Sequence, residues 1–392
     1  MDLKSKIQKR SAEIYNQVVE YRRHLHRHPE LSYKEEKTSE FICDRLTELG
    51  IAHQKNIGGF GVVGIIEGKN PQQKIRALRA DMDALPIQET NPVAYQSIHE
   101  GVMHACGHDV HTSSLLGAAQ ILNELKDEWE GTIKLVFQPA EEKLPGGASL
   151  MIKAGVLNNP EVKFMHGQHV MPQIPTGKVG FRSGLYMAST DELYVTVKGK
   201  GGHGAMPHLN IDPVLISSHL IIALQQLVSR IANPIIPSVL SFGKVIANGA
   251  TNVIPDEVYL EGTFRTLDEK WREEAHIRMK QMAEDLAKAM GGTCDFEIRK
   301  GYPFLYNDEI LTARNKALAQ EYLGHENVID LDIWMAAEDF AYYSQVVPSC
   351  FYRLGTRNEA RGIISSVHTP TFDIDEEALK IGMGLMAWIG VH

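Results

Sequence analysis

The sequence predicts an α/β protein: a mainly parallel sheet flanked by helices, interrupted by an inserted ferredoxin-like α+β domain. Three observations carry this. Over residues 1–183, short β-rich apolar runs alternate with amphipathic stretches, and run after run ends in Asp, Glu or His. From about 183 to 300 the order changes to strand, helix, strand, strand, helix, strand, which is complete in itself. After 300 the alternating pattern resumes. The domains are therefore 1–183 with 300–392, discontinuous, and 184–299 as the insert. Two chain crossings, near 183 and 300, would let the insert close like a hinge.

Taken in order, residues 4–27 read as one polar helix with Ile7, Ile14, Val18, Tyr21 and Leu25 near a 3.6-residue period, ended by Pro29. Ser32-Tyr33-Lys34-Glu35 has capping-box spacing and predicts the start of a second helix through Phe41, Ile42, Leu46 and Leu49, closed by Gly50. Residues 62–66 and 75–78 read as strands. The second runs into Arg79-Ala80-Asp81-Met82-Asp83-Ala84-Leu85-Pro86, so Asp81 and Asp83 fall at a strand end, where open α/β sheets place their sites. Residues 103–113 hold a thiol, imidazoles and a carboxylate just before an apolar helix through Leu115, Leu116, Ile121 and Leu122. A strand over 132–137 ends in Gln138-Pro139-Ala140-Glu141-Glu142, then a turn (Pro145-Gly146-Gly147) and a helix to about Ala154. A strand over 163–170 ends in His166-Gly167-Gln168-His169. The insert reads as strand 193–197, helix 213–231, strands 238–246 and 258–266, helix 269–290 and strand 294–299. A helix over 309–322, a short helix after Ala336, a strand over 351–354 and a last helix over 375–389 follow. Asp373-x-x-Glu376, with Asp375 and Glu377, suits that last helix's N-terminus by capping and dipole.

At 392 residues the chain has room for two or three domains, and its 43% hydrophobic and 23% charged content is that of a globular protein. A net charge of −9 argues against a nucleic-acid surface, which needs a Lys/Arg excess. Cys43, Cys106, Cys294 and Cys350 lie far apart with no CxxC pair, which fits a reducing compartment rather than a disulfide framework. Residues 1–17 are charged and lack the apolar core of a secretory signal. No stretch reads as a membrane span, since the most apolar helix, 214–228, carries Ser217, Ser218, His219, Gln225 and Gln226. The expectation is a cytoplasmic protein with no nucleic-acid or membrane partner.

Cys106 and His108 flank Gly107, which lets both side chains turn toward one ion, and thiolate, imidazole and carboxylate are ligand types for zinc and related metals. The alternative is a buried Cys and hydrogen-bonded His at a loop-to-helix junction. Six metal-type residues, Cys106, His108, Glu141, Glu142, His169 and His368, fall at strand ends or loops of one domain. Five suffice for two ions if one bridges, leaving the sixth to act. Hydrolysis at a metal needs one carboxylate on the ion and another as general base, and the ion lowers the pKa of water from ~15.7 to roughly 7. A solvated surface pair is the other reading of Glu141-Glu142, disfavoured by the apolar strand and Pro139 before them.

The stretches 79–86, 103–112, 139–142, 199–208, 337–340 and 368–375, together with the segment from Leu25 to Ser32, resemble the M20 metallopeptidase family, and more closely its amidohydrolase branch of N-acyl-amino-acid, hippurate and auxin-conjugate hydrolases. The resemblance covers nearly the whole chain. It implies a catalytic domain of zinc-peptidase type and a two-metal site with Cys106, His108, Glu142, His169 and His368 as ligands, Cys106 as bridge and Glu141 as general base. The two divalent ions would be Zn, or Mn, Co or Ni. Where the wider family has His in an H-x-D motif this chain has Arg79, so His108 would supply the ligand. Asp81 then joins the catalytic group as an orienting carboxylate, with Asp109 and His111; turn and cap roles are the alternative for these three. The insert resembles the family's lid and dimerisation domain, which implies a homodimer. There His203 would stabilise the oxyanion, and Asn252 and Arg265 would hold the substrate's carboxylate. On the residues alone these three are a turn His, a turn Asn and a strand-end Arg. Gly199-Lys200-Gly201-Gly202 lacks the ending of a phosphate-binding loop.

The implied activity is metal-dependent hydrolysis of N-acyl amino acids such as N-acetyl or N-benzoyl derivatives. An aminopeptidase or dipeptidase, a non-catalytic metal-binding protein, and a Cys106 thiol hydrolase with His108 as base are the alternatives. His24, His26 and His28 read as packing and capping, Cys43, Cys294 and Cys350 as buried thiols, and Glu338-Asp339 as a helix cap.

Overall fold

The structure, a computed structural model, describes residues 1–392. They form two compact units: Met1–Tyr186 with Tyr306–Ile333 and Asp339–His392, and Met187–Leu305 with Trp334–Glu338. The short stretch Trp334–Glu338 thus belongs with the second unit, although sequence reading assigned everything after residue 300 to the first. The chain passes between units after Tyr186, Leu305, Ile333 and Glu338, where two crossings were expected.

The first unit is built on an eight-stranded sheet. Its centre is four parallel strands, in spatial order Thr132–Gln138, Ile75–Asp81, Phe164–Pro175 and Ser349–Arg357. Antiparallel strands Val62–Glu67 and Ala52–Lys55 extend one edge, and Val179–Phe181 with Val328–Asp330 the other. Ile75–Asp81 and Thr132–Gln138 are buried along their whole length, as expected for strands covered on both faces. The helix His108–Glu124 is buried from His108 to Leu122 and packs on Tyr15–Arg27 and the last helix, Glu377–Val391. Leu78, Ala80, Leu115, Leu135, Phe137, Met383 and Trp388 belong to the single core this makes.

Four local readings need correction. The predicted helix over 4–27 is two, Leu3–Glu13 and Tyr15–Arg27, broken at Ile14. The second helix begins at Glu36 without the predicted capping box, because Ser32 and Glu35 bond elsewhere and Glu30 Oε2 takes Thr38 N at 2.8 Å instead. At the last helix Asp373 accepts from Arg22 and Glu376 pairs with Arg23, so neither caps it, while Asp375 Oδ1 takes the first helical amide, Glu377 N, at 3.3 Å. Finally, the strand predicted to stop at 170 runs to Pro175, because its neighbour Ser349–Arg357 continues to pair with it after Ile75–Asp81 has ended.

The second unit is a four-stranded antiparallel sheet, in order Ser238–Ile246, Glu257–Thr266, Asp191–Lys198 and Thr293–Lys300, with helices Pro213–Gln226 and Glu269–Ala289 packed together on it. In chain order this is the expected ferredoxin-like βαββαβ. Leu193, Val195, Leu220, Leu224, Phe264 and Met279 are in its core. The helical run Pro213–Ile231 is long and apolar enough, by length and composition, to cross a membrane, contrary to the sequence reading. In the fold it buries Ile216, Leu220, Leu224 and Leu227 against its own sheet.

His166, on the core strand Phe164–Pro175, is 3% exposed, and burial together with Arg76 and Arg314 pushes its pKa down to about 3. Its folded pKa is depressed below the unfolded value near 6.5, so the unfolded chain binds the extra proton and stability falls as pH drops below about 6.5. Replacing it by a non-titrating residue (His166→Asn) should shrink the stability loss between pH 7 and pH 5 by about 2 kcal/mol, read from urea unfolding at the two pH values. An unchanged difference would show that His166 is protonated in the fold.

Candidate metal centre

The C-terminal ends of the parallel strands share one edge of the sheet, and there the predicted residues meet. Gly107 caps the helix His108–Glu124 with φ of 82°, and a Cβ on it would lie 2.5 Å from Val170 Cγ2. Only glycine fits both conditions. This turn delivers Cys106 and His108 side by side. Gly147 closes the turn after Thr132–Gln138; a Cβ there would sit 1.7 Å from Pro139 O. His368 comes from the C-terminal loop in a left-handed conformation (φ 60°), held by its N–H to Ala105 O at 2.7 Å.

The donor atoms fall into two groups of three that share one atom. Cys106, His108 and His169 form one, Cys106, Glu142 and His368 the other, each with its atoms within 4.8 Å of one another. Cys106 Sγ lies 3.5 Å from His169 Nε2 and 3.3 Å from His368 Nε2, which is 3.2 Å from Glu142 Oε1. The outward nitrogens are committed: His169 Nδ1 donates to Val170 O at 2.7 Å, and His108 Nδ1 to Asp83 Oδ1 at 3.2 Å. Their Nε2 lone pairs therefore face the cluster. His108 Nε2 is buried with no hydrogen-bond partner, and Glu142 Oε1, also buried, faces His368 Nε2 at 3.2 Å and His108 Nε2 at 4.0 Å. Buried ligand-type atoms converging on a shared thiol are what a cation would satisfy, and this donor set fits two ions of the zinc type.

His111 lies in a further cluster with Asp81 and His108. Both its nitrogens are spent, Nδ1 on Asp81 Oδ1 at 2.5 Å and Nε2 accepting from Val170 N at 2.8 Å. That leaves it no lone pair for a metal. Asp81 also accepts from Arg79 at 2.7 Å. Burial raises its pKa, but Arg79, His108 and His111 outweigh this and hold it well below the usual carboxylate range. Asp81 thus acts on the cluster through His111 and Val170, and its Oδ2 also lies 3.6 Å from His108 Nε2. Asp109 faces away, onto Arg22 at 2.8 Å and His26 at 2.9 Å.

Glu141 is buried and within 4.8 Å of the donor atoms of His108 and Glu142; its Oε1 accepts from Asp339 N at 3.3 Å. Asp339, read from sequence as a helix cap, is instead a buried hub taking Arg79 at 2.8 Å, Gln138 at 2.8 Å and Ala148 N at 2.9 Å. Sequence reasoning placed Asp83 at the strand end but gave it no role. Its carboxylate takes His108 Nδ1, Glu141 N and Glu142 N at 3.0 Å each for the two amides, and Ser32 Oγ at 2.6 Å. Its place two residues after Asp81 was the available signal.

In the second unit, His203 and Asn252 come together where Gly202–His203 pairs with Val253–Ile254, and Gly204 N donates to Asn252 O at 2.8 Å. His203 is exposed. Ala205 N donates into its Nδ1 at 3.0 Å, so its own proton is on Nε2. Arg265 is on Glu257–Thr266, half-buried, with Nη1 on Met335 O at 3.2 Å.

Such a fold and donor set define a metallohydrolase of the zinc-peptidase type. The family described as Peptidase family M20/M25/M40 matches residues 77–389, and the chain belongs to it. The N-acetyl-L-cysteine deacetylase of Bacillus subtilis (strain 168) is 41% identical over 93% of this chain and 85% of its own. Thermostable carboxypeptidase 2 of Saccharolobus solfataricus is 39% identical over 97% of this chain and 96% of its own. Among solved structures, a Bacillus subtilis protein described as a dinuclear metal binding peptidase from the M20 family superposes with a TM-score of 0.83 at 34% identity, covering 97% of this chain and 98% of that one.

Arg79 is the cation between two fully buried carboxylates, Asp81 and Asp339. Arg79→Met should lower stability by about 3–5 kcal/mol in urea unfolding, the usual cost of stranding buried charge. A loss under about 1 kcal/mol would show that the carboxylates do not depend on it.

Proposed function

We propose that this protein is a metal-dependent amidohydrolase that cleaves the amide bond of N-acyl amino acids, releasing a carboxylate and a free amino acid. The observation that carries the reading is the pair of three-donor groups sharing Cys106, with the Glu141 carboxylate beside them. Cys106, His108 and His169 would hold one ion, and Cys106, Glu142 and His368 the other. Two bound divalent cations would polarise the amide carbonyl and acidify water. Glu141 takes a proton from the attacking water and returns it to the leaving nitrogen, so the amine departs neutral and the carboxylate is regenerated. On the family resemblance His203, with its proton on Nε2, would be the donor for the developing oxyanion, in its own chain or a partner's, and Asn252 and Arg265 would hold the substrate's carboxylate. Asp81 positions; it is not among the groups that react.

The likeness to a carboxypeptidase keeps peptides in view as substrates. A thiol hydrolase is disfavoured, because burial with Glu142 and Glu141 pushes the Cys106 thiol well above its ordinary value, the reverse of a nucleophilic cysteine. A non-catalytic role is disfavoured by Glu141 standing intact beside the donors. All four cysteines are unpaired, which supports a reducing compartment such as the cytoplasm. Two chains would pair through the second unit, whose edge strand Ser238–Ile246 exposes Val239, Val245 and Ile246 near the helix Pro213–Gln226, on which Leu215 and Ile222 are also exposed.

On a panel of N-acetyl and N-benzoyl amino acids with dipeptides alongside, chelation should abolish turnover and Zn, Mn, Co or Ni restore it. Turnover untouched by chelation would favour the thiol mechanism, and preference for dipeptides the peptidase. Glu141→Ala should keep its metal while kcat falls ~10²–10⁴-fold; near-normal activity would remove Glu141 as base. Light scattering should report a dimer that Val245→Lys converts to monomer, and a monomeric native protein would end the pairing proposal.

A further inference from the structure

The segment Leu31–Glu35 lies far from the metal centre in sequence, and nothing in the reaction above uses it. In space it runs beside the strand end. Leu31 bridges in parallel to Ala84, and Ala84 N donates to Glu30 O at 2.8 Å. From there three successive contacts reach across. Ser32 Oγ donates to Asp83 Oδ2 at 2.6 Å. Tyr33 Oη donates to Lys143 O at 2.9 Å and accepts from Gly146 N at 3.2 Å, with Tyr33 itself in a left-handed conformation (φ 67°). Glu35, fully buried, accepts from Ala140 N at 2.7 Å.

Seen from the turn these contacts enclose, the arrangement is more ordered still. Three consecutive amides, Ala140, Glu141 and Glu142, donate to carboxylates brought from elsewhere: the first to Glu35, the second and third to the two oxygens of Asp83. Ala140 is left-handed (φ 51°), which a residue with a Cβ adopts only when its surroundings hold it there. The backbone turn at Ala140 decides where the next two side chains point. One is the base and the other a ligand.

We propose that Leu31–Glu35 is a strap that sets the Glu141–Glu142 turn, with Glu35 as a positioning residue for both the general base and the metal ligand. The assignment rests on the amidohydrolase reading for the identity of base and ligand. Glu35 is suited to the task as an acceptor rather than as a charge: burial beside Asp83 raises its pKa to about 7, and its Oε2 has no partner. A neutral amide oxygen at the same place would serve equally.

That equivalence supplies the test. Metal affinity is measured by competition of Zn²⁺ between the metal-free protein and a chromophoric chelator, and kcat and KM separately on an N-acetyl amino acid. Glu35→Ala should weaken Zn²⁺ binding about 10-fold and lower kcat 10- to 100-fold, with KM within about threefold, the scale on which outer residues act on a metal site. Glu35→Gln, which keeps the oxygen facing Ala140 N, should recover most of both. Where Glu35→Ala does not fold, the double variant Ser32→Ala/Tyr33→Phe removes the strap's hydroxyl contacts without touching the buried carboxyl, and should reduce both quantities three- to tenfold. A folded Glu35→Ala, or a folded double variant, with Zn²⁺ affinity and kcat within twofold of the native protein overturns the proposal. So does a Glu35→Gln variant as impaired as Glu35→Ala. Should Glu141→Ala prove active, the catalytic reading fails by itself, and the Zn²⁺ competition still decides whether the strap holds Glu142.

Discussion

A carboxylate taken out of water must recover in hydrogen bonds what it loses in hydration, and Asp83 recovers it from four donors belonging to three other segments. Burial alone would raise its pKa. His108, Ser32 and the Glu142 amide reverse that and hold it lowered. Because each oxygen takes two donors, any of the four that moves away leaves the buried carboxylate short of a partner. The imidazole that must face a metal, the two amides that carry base and ligand, and the hydroxyl of the N-terminal segment are therefore fixed relative to one another through a single group. This is a stronger constraint than packing, since the groups share acceptor geometry as well as space.

Asp81, two residues earlier, does the corresponding work on the other side. Arg79 and His111 saturate it, His111 accepts from Val170 N, and Val170 O receives the proton of His169. Asp81 and Asp83 thus orient different imidazoles by different routes, one through a side chain directly and one through a relay. The neighbourhood as a whole is rich in acid, with Asp81, Asp83, Glu141, Glu142 and Asp339 grouped around Arg79, and Arg353 beside His169 as a further buried cation. Such a field favours cations and strengthens the case that the inward-facing nitrogens and Cys106 serve a metal.

The fold was legible because strand and helix periods and the alternation of elements are local properties of the chain. The six metal-type residues were legible for a related reason: a parallel sheet puts successive strand ends on one edge, so Asp, Glu and His at those ends must converge. What failed were readings whose partner lies elsewhere in the chain. Ser32-x-x-Glu35 has the spacing of a capping box, and spacing alone cannot say that Ser32 bonds to Asp83 and Glu35 to Ala140. Asp373-x-x-Glu376 misled in the same way, being spent on Arg22 and Arg23. The extra length of the strand Phe164–Pro175 depends on a neighbour nearly two hundred residues on, and so could not be seen in its own residues.

These failures share a physical cause. A local rule describes the best partner within a few residues, and it is broken where a distant partner binds better. Non-glycine residues in the left-handed region mark the same places, since each costs roughly 1–3 kcal/mol and persists only under outside restraint. Ala140 and His368 stand at the metal centre and Tyr33 in the segment beside it, and each is restrained by a bond from another part of the chain: Tyr33 through its hydroxyl to Lys143 O, Ala140 through its amide to Glu35, His368 through its amide to Ala105 O. Helix and sheet could have been completed without them. Their conformations bring two glutamates and a histidine to positions that regular structure would not reach, and the carboxylates of Glu35 and Asp83 are what make those positions stable.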